Sequence, residues 1–224
     1  MNILKSFEWQ RILPYLINLL VAMPCIVFHE MAHGFAAYKL GDTTAKDRGR
    51  LSLNPLKHID ILGLIMMVTL GFGWAKPVPI DMRRFKNPKG GMALCALAGP
   101  AANFVLALVV LGISSVLVRT SFITTTVGWY VFMILVFMAI RSTFLGLFNL
   151  IPIPPLDGSK VVFSFLPDDM YLKLMRIEKY FMIIVFLLCY VGVVNRFIVS
   201  IGSWVIDKFC IVTMFPRDIM SLFI

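Results

Sequence analysis

MALCALAGPAANFVLALVVLGISSVLV, residues Met92–Val118, carries no charged side chain. About 20 apolar residues of helix cross the hydrocarbon core of a bilayer, and this run is longer than that. Lipid offers no partner for backbone N–H and C=O groups, so a run of this kind is read as a transmembrane α-helix. Working outward, Ile12–Phe28 is a second uncharged stretch, and Val127–Phe148 is a third, interrupted only by Arg141. Tyr180–Asn195 is also uncharged and continues past Arg196 to Ile206, a last span with an indistinct end. Composition agrees: 59% of the 224 residues are hydrophobic and 15% are charged, with a mean hydropathy of +0.87. A soluble domain carries about a quarter of charged residues. The formal charge of +9 is therefore read as loop charge that orients a membrane protein, and no nucleic-acid partner is expected.

The first helix is expected over Ile12–Leu40, with Gly41 closing it in the left-handed position that follows a helix. Pro24 removes a bond to the Leu20 carbonyl and predicts a kink. The stretch is long, lacks a small-x-small cleavage site and runs straight into polar residues, so it is expected to be retained rather than cleaved as a signal. Ile61–Ala75 is uncharged but short for a span, and it contains Gly63, Gly71 and Gly73. That suits a re-entrant or β-like membrane-associated segment. Lys46, Arg48, Arg50 and Lys57 precede it; Lys76, Arg83, Arg84, Lys86 and Lys89 follow it. A crossing here would put one of these basic loops outside, against the positive-inside rule. Leu166–Lys179 reads as an amphipathic surface helix opened by Pro167 and Asp168. Cys25, Cys95, Cys189 and Cys210 sit in apolar surroundings and are expected to be buried free thiols.

These readings predict an all-α polytopic membrane protein, a bundle of four to six transmembrane helices with a three-helix core. Residues 1–224 are expected to be one domain. Residues 12–160 form its core, and 161–224 supply the amphipathic helix, a final span and a tail. The basic loops put the polar ends of the core on the cytoplasmic side of the cell membrane.

The first helix ends in His29-Glu30-Met31-Ala32-His33. Histidines at i and i+4 lie one above the other on a helix, so their ring nitrogens can meet one metal ion. Glu30 lies beside that face, where a carboxylate can accept a proton from water and return it to a leaving amine. Chance alone also produces HExxH. Its position here argues otherwise, because ionisable residues at the end of an apolar helix are costly and mark functional sites. Zn²⁺ suits such nitrogen ligands in a tetrahedral site with one position open. Far along the chain comes Asn149-Leu-Ile-Pro-Ile-Pro-Pro-Leu-Asp157-Gly158. Pro152, Pro154 and Pro155 forbid a regular helix at the membrane's edge, and irregular backbone there lines a cavity or is buried in protein. Asp157 is well placed to complete a His/His/Asp zinc set.

An HExxH at the end of a transmembrane helix, followed much later by N-x-x-P-x-P-x-x-D-G, resembles the site-2 protease family of intramembrane metalloproteases (M50). Ala98-Gly-Pro-Ala-Ala-Asn103 resembles a further element of that family. NPLKHID (Asn54–Asp60) and GWAKPVP (Gly73–Pro79) look like a compact bacterial subgroup without a PDZ domain. The resemblance runs from Val21 to Asp157 and beyond, and departs from the family pattern at Met31 and Ser159. It implies one zinc per chain on His29, His33 and Asp157, with Glu30 as general base. It also implies a catalytic role for Asn149 in positioning substrate or stabilising the oxyanion. The activity implied is hydrolysis of peptide bonds in the transmembrane segments of membrane-protein substrates, by family analogy in regulated intramembrane proteolysis. A regulatory membrane partner and a homo-oligomer both remain open.

Other residues compete for roles. His58 and Asp60 are the rival metal-capable pair, for which a solvated or helix-capping place is expected. Arg141 is expected to snorkel or to pair inside the bundle, Asn103 to make a helix-packing hydrogen bond, and Gly99 to allow a close helix contact. Gly71–Pro79 offers an edge on which an unwound substrate adds as a strand. Two non-enzyme readings stand against the protease: a pseudoprotease that binds helices without cutting, and a metal carrier. Intact Glu30 speaks against the first. The clustering of the histidines at one helix end speaks against the second.

Overall fold

A computed structural model of the chain describes residues 9–70 and 74–224. The helices are α1 (Trp9–Lys39), α2 (Thr44–Asp47), α3 (Ile61–Leu70), α4 (Pro88–Leu117), α5 (Thr126–Asn149), α6 (Asp157–Phe163), α7 (Asp168–Tyr190), α8 (Val193–Thr213) and α9 (Arg217–Met220). No strand occurs among the described residues.

Helix ends follow local chemistry. α1 runs unbroken through Pro14 and Pro24. It closes as expected at Gly41, whose φ is +104°. Asp42 N–H donates to the Ala37 carbonyl at 2.9 Å and Gly41 N–H to that of Tyr38 at 3.2 Å, the paired bonds of a Schellman motif. α4 opens with Pro88 in its first turn and the Asn87 side chain accepting from Gly90 N–H, and Thr125 Oγ1 caps α5 by accepting from Gly128 N–H at 3.0 Å. Both satisfy amide groups that a helix leaves open.

Among the described residues, three segments are long and apolar enough to cross a membrane: Ile17–Lys39, Pro88–Leu117 and Thr126–Asn149. Their outward faces are apolar too: Leu94, Val105 and Val116 on α4, and Val127 and Tyr130 on α5, are each more than half exposed. Continuous apolar surface of that kind needs lipid against it. The chain is a membrane protein. α1, α4 and α5 pack on one another and form the three-helix core.

The remaining elements depart from the sequence reading in three places. The amphipathic helix does not stop at Lys179; α7 continues to Tyr190, and the break falls at Gly192, where φ is +80°. No single span covers Tyr180–Ile206. A left-handed residue ends a helix more firmly than the charge of Arg196 does. Second, the described part of the short segment is α-helical rather than β-like. Ile61–Leu70 is α3, with Asp60 Oδ1 accepting from Gly63 N–H at 2.9 Å, while Gly71–Gly73 lie outside the described residues. Third, His58 is buried, not solvated, with its Nε2 2.8 Å from the Ser52 carbonyl.

The two basic loops meet. Lys76 N–H donates to the His58 carbonyl at 2.9 Å, and Arg50 donates to the carbonyls of Lys76 at 2.6 Å and Pro77 at 3.2 Å. Fully buried Asp42 accepts Asp81 N–H at 2.7 Å and Thr44 N–H at 2.9 Å. Trp74 returns directly onto α3, where its backbone leaves no room for a Cβ at Gly63.

Candidate metal centre

α1 delivers His29 and His33 one turn apart, and α6 delivers Asp157 from its first turn. The loop between α5 and α6 makes that delivery possible. Pro152, Pro154 and Pro155 cannot continue α5, and the chain folds back so tightly that a Cβ on Gly158 would collide with the Leu150 carbonyl. The Asp-Gly pair is thus a steric requirement: the acid reaches the site because its neighbour has no side chain.

The three side chains are buried, at 5% exposure for His29 and 7% for His33 and Asp157. The two imidazole rings stand edge to face with centroids 4.5 Å apart. Nε2 of His29 lies 2.9 Å from Nε2 of His33, and Asp157 Oδ2 lies 3.1 Å from each. Lys160 Nζ stands 3.7 Å from the other carboxylate oxygen.

Hydrogen bonding alone does not account for this cluster. His33 Nδ1 lies 2.6 Å from the Cys95 carbonyl, which can only accept, so Nδ1 carries a proton and, in the neutral ring, Nε2 turns a bare lone pair inward. That lone pair meets a carboxylate oxygen and a second Nε2. Three electron-rich atoms converging on one point fit a cation. In a tetrahedral zinc site with bonds of about 2.0–2.1 Å, ligand atoms stand about 3.3 Å apart, close to the separations here. His29, His33 and Asp157 are also the one group of potential metal ligands found among the described residues.

α4 forms the wall behind the histidines. A Cβ on Gly99 would stand 2.5 Å from His33 Cε1 and Nε2 and 2.7 Å from His29 Cε1. The close contact expected at Gly99 is therefore with the two histidine rings, not simply with a helix backbone. Gly99→Ala is expected to spread the rings and weaken metal binding about tenfold or more, the scale of overpacking in a tight core. Gly112→Ala, on the same helix but with nothing within 4 Å of the added Cβ, should leave metal content unchanged. Metal analysis of both purified variants checks this.

Glu30, half-buried on α1, accepts the Val78 N–H at 2.8 Å. The Trp74–Ile80 segment is laid over it, and Gly34 permits the approach, because its Cβ would stand 3.0 Å from Val78 Cγ1. The sequence carries GWAKPVP but no signal of this contact. Within Gly71–Pro79, Gly71–Gly73 lie outside the described residues. Beyond them Lys76 and Val78 already donate to His58 and Glu30, and prolines 77 and 79 have no N–H. Those positions do not present a free strand edge.

Of the other candidates, Asn149, Asp60, His58 and Arg141 make their hydrogen bonds elsewhere, and Asn103 touches the cluster. Asn149 donates from Nδ2 to the Leu145 carbonyl of its own helix at 2.9 Å. Asp60 caps α3, and His58 and Asp60 line a separate small pocket with Trp74 and Met23. Arg141 is exposed, not inside the bundle, and donates across from α5 to Asn18 Oδ1 on α1 at 2.8 Å. Asn103 is fully buried and faces His29 Nδ1 at 3.1 Å, a contact with the His29 ring beyond the packing bond expected. None of the four cysteines forms a disulfide; Cys25, Cys95 and Cys210 are buried and Cys189 is half-buried.

Comparison with known proteins gives the same direction. The model of Peptidase family M50 matches residues 115–192, a stretch that holds the Asn149–Asp157 motif and not the HExxH. Three proteins carrying the name "Putative zinc metalloprotease" are similar over most of the chain. YwhC of Bacillus subtilis is 35% identical over 201 residues, covering 87% of this chain and 85% of its own. Rip2 of Mycolicibacterium smegmatis is 29% identical over 186 residues, covering 81% and 70%. MJ0611 of Methanocaldococcus jannaschii is 30% identical over 158 residues, covering 70% and 74%. No solved structure matches the chain.

Proposed function

The chain belongs to peptidase family M50, the site-2 protease family of zinc metalloproteases, and from that premise we propose that it is an intramembrane zinc metalloendopeptidase. Its substrates are membrane proteins, cut at peptide bonds in or beside their transmembrane segments. The observation that carries this reading is the convergence of His29, His33 and Asp157 at the end of an apolar helix, with Glu30 next to it. Regulated release of membrane-tethered proteins is the pathway that family analogy suggests.

His29, His33 and Asp157 would hold one zinc ion. Zinc, when bound, supplies the Lewis acid that polarises a scissile carbonyl and acidifies water. Glu30 accepts the proton of the attacking water on its carboxylate and hands it to the leaving amide nitrogen. The Val78 N–H holds that carboxylate in place. Asn149 serves the oxyanion once its amide turns away from the Leu145 carbonyl. The buried setting strengthens each of these charge interactions.

The metal centre lies near the cytoplasmic face of the cell membrane, and α3 enters the membrane without crossing it. Two features support this. α3 is 10 residues long, about 15 Å at 1.5 Å per residue, which is half of a bilayer core. The loops before and after it are bonded to each other through His58, Lys76 and Arg50. α8 is the fourth crossing. Its Ile206 and Cys210 pack with Val110 and Leu111 of α4 and Phe132 and Val136 of α5. Cysteine replacements at Lys57 and Lys86, in a background without native cysteines, should label from the same side of sealed vesicles. Labelling from opposite sides sinks this topology.

The activity is tested by reconstituting the purified chain in vesicles with a tagged single-span protein. Zinc-dependent fragments whose new ends map inside the apolar stretch are expected. Fragments cut only in the soluble parts would make the enzyme an ordinary membrane-bound metalloprotease.

A further inference from the structure

Asn103 stands on α4 one turn beyond Gly99 and is 0% exposed. Its Nδ2 faces His29 Nδ1 at 3.1 Å, and its Oδ1 is buried with no partner. The two ends of a primary amide are nearly alike in shape, and a half turn of the group exchanges them. In either orientation one end meets His29 and the other stays buried and unpaired. An apolar residue would avoid that cost, so the amide is retained for its contact with the ring. Its backbone is held as well, because Ser142 Oγ on α5 donates to the Asn103 carbonyl at 2.8 Å.

The second histidine shows what that contact does. The Cys95 carbonyl fixes the proton of His33 on Nδ1 and so frees Nε2 for the centre. His29 offers Nε2 to the same centre, and its Nδ1 must therefore carry the proton and find an acceptor. The side chain facing that nitrogen is Asn103. We propose that Asn103 is a positioning residue for the metal. With Oδ1 turned toward His29 Nδ1–H, it holds the imidazole in the tautomer and orientation that present Nε2 to zinc. α4 thus secures both histidines from behind, His33 by a backbone carbonyl and His29 by a side chain. The proposal rests on the zinc-protease reading of His29, His33 and Asp157.

The test titrates zinc into the purified full-length chain in detergent against a competing chelator. Asn103→Leu, similar in size but unable to accept, is expected to raise the zinc Kd about 10- to 100-fold. Asn103→Asp, which keeps an acceptor against Nδ1–H, is expected to bind zinc at least as tightly as wild type. A pure packing role gives the reverse order, since Leu suits an apolar wall and a buried Asp does not. Asn103→Leu with the wild-type Kd, or Asn103→Asp weakened as much as Asn103→Leu, overturns the proposal. If Asn103→Leu does not purify folded, Asn103→Asp decides alone, and a Kd raised about tenfold or more there overturns it. A wild-type chain that takes up no zinc overturns the metal reading and this proposal together, whereas zinc-bound wild type with indifferent variants overturns the proposal alone.

Discussion

Glu30→Gln is expected to lower cleavage of a transmembrane substrate by about 10⁴-fold, the upper end of what general acid-base groups contribute, while zinc content and helical fold stay at wild-type levels. The substitution separates the two jobs within HExxH. His29 and His33 point their Nε2 atoms at each other and at Asp157, whereas Glu30 is turned toward the Val78 amide, with its Oε2 2.8 Å from that nitrogen. Gln keeps the size of Glu, and its carbonyl oxygen still accepts from Val78 N–H. The amide cannot take a proton from water at neutral pH, so the nucleophile is not activated. A helix-binding pseudoprotease or a metal carrier has no use for that proton and is indifferent to the change. The measurement is fragment yield against time for wild type and variant, each checked for bound zinc. Equal rates with zinc in both would mean that Glu30 is not the base.

Asp157→Ala is expected to strip zinc from the purified chain and to remove activity with it. Two histidines remain after the substitution, one ligand short of the three that a catalytic zinc site uses. Asp157 also ties α6 to α1 across 128 positions of sequence. Losing it leaves buried histidines facing an empty corner, so the variant should also unfold at lower temperature. His58→Ala is the matching control. His58 lies in its own pocket, bonded to the Ser52 carbonyl, and its loss should leave one zinc per chain. Zinc retained in Asp157→Ala but lost in His58→Ala would reject the ligand set. Lower pH should mimic the first variant, because protons compete with zinc for the imidazoles.

Much of this protein is legible from the chain alone, for reasons that are local. Transmembrane helices appear because lipid forbids unsatisfied backbone groups, and the uncharged run from Met92 to Val118 satisfies that condition by composition. The end of α1 is readable at Gly41, where a left-handed residue is needed and glycine supplies it without a Cβ clash. The histidine pair is readable because i and i+4 share a helix face whatever the rest of the chain does. Even the Asp157 segment announces itself, since clustered prolines must break the helix that precedes them.

What only the tertiary structure decides depends on which surfaces meet. That Gly99 makes room for two imidazole rings is a property of how α4 lies against α1, and nothing within AGPAAN encodes a distance to His33. The Val78 contact to Glu30 spans 48 positions and requires the loop after α3 to return over the end of α1. Asn103 has the composition of a packing residue, and its meeting with His29, 74 positions away, comes from the rotation of one helix about its axis. The break at Gly192 was equally invisible to hydropathy, because glycine is apolar enough to extend an uncharged run while its backbone adopts the left-handed turn that ends α7. Periodicity and charge are sums over neighbours in sequence, so they report helices and their faces. The identity of the group opposite each face is fixed by packing between helices, where a rotation of one residue exchanges an amide for an aliphatic side chain.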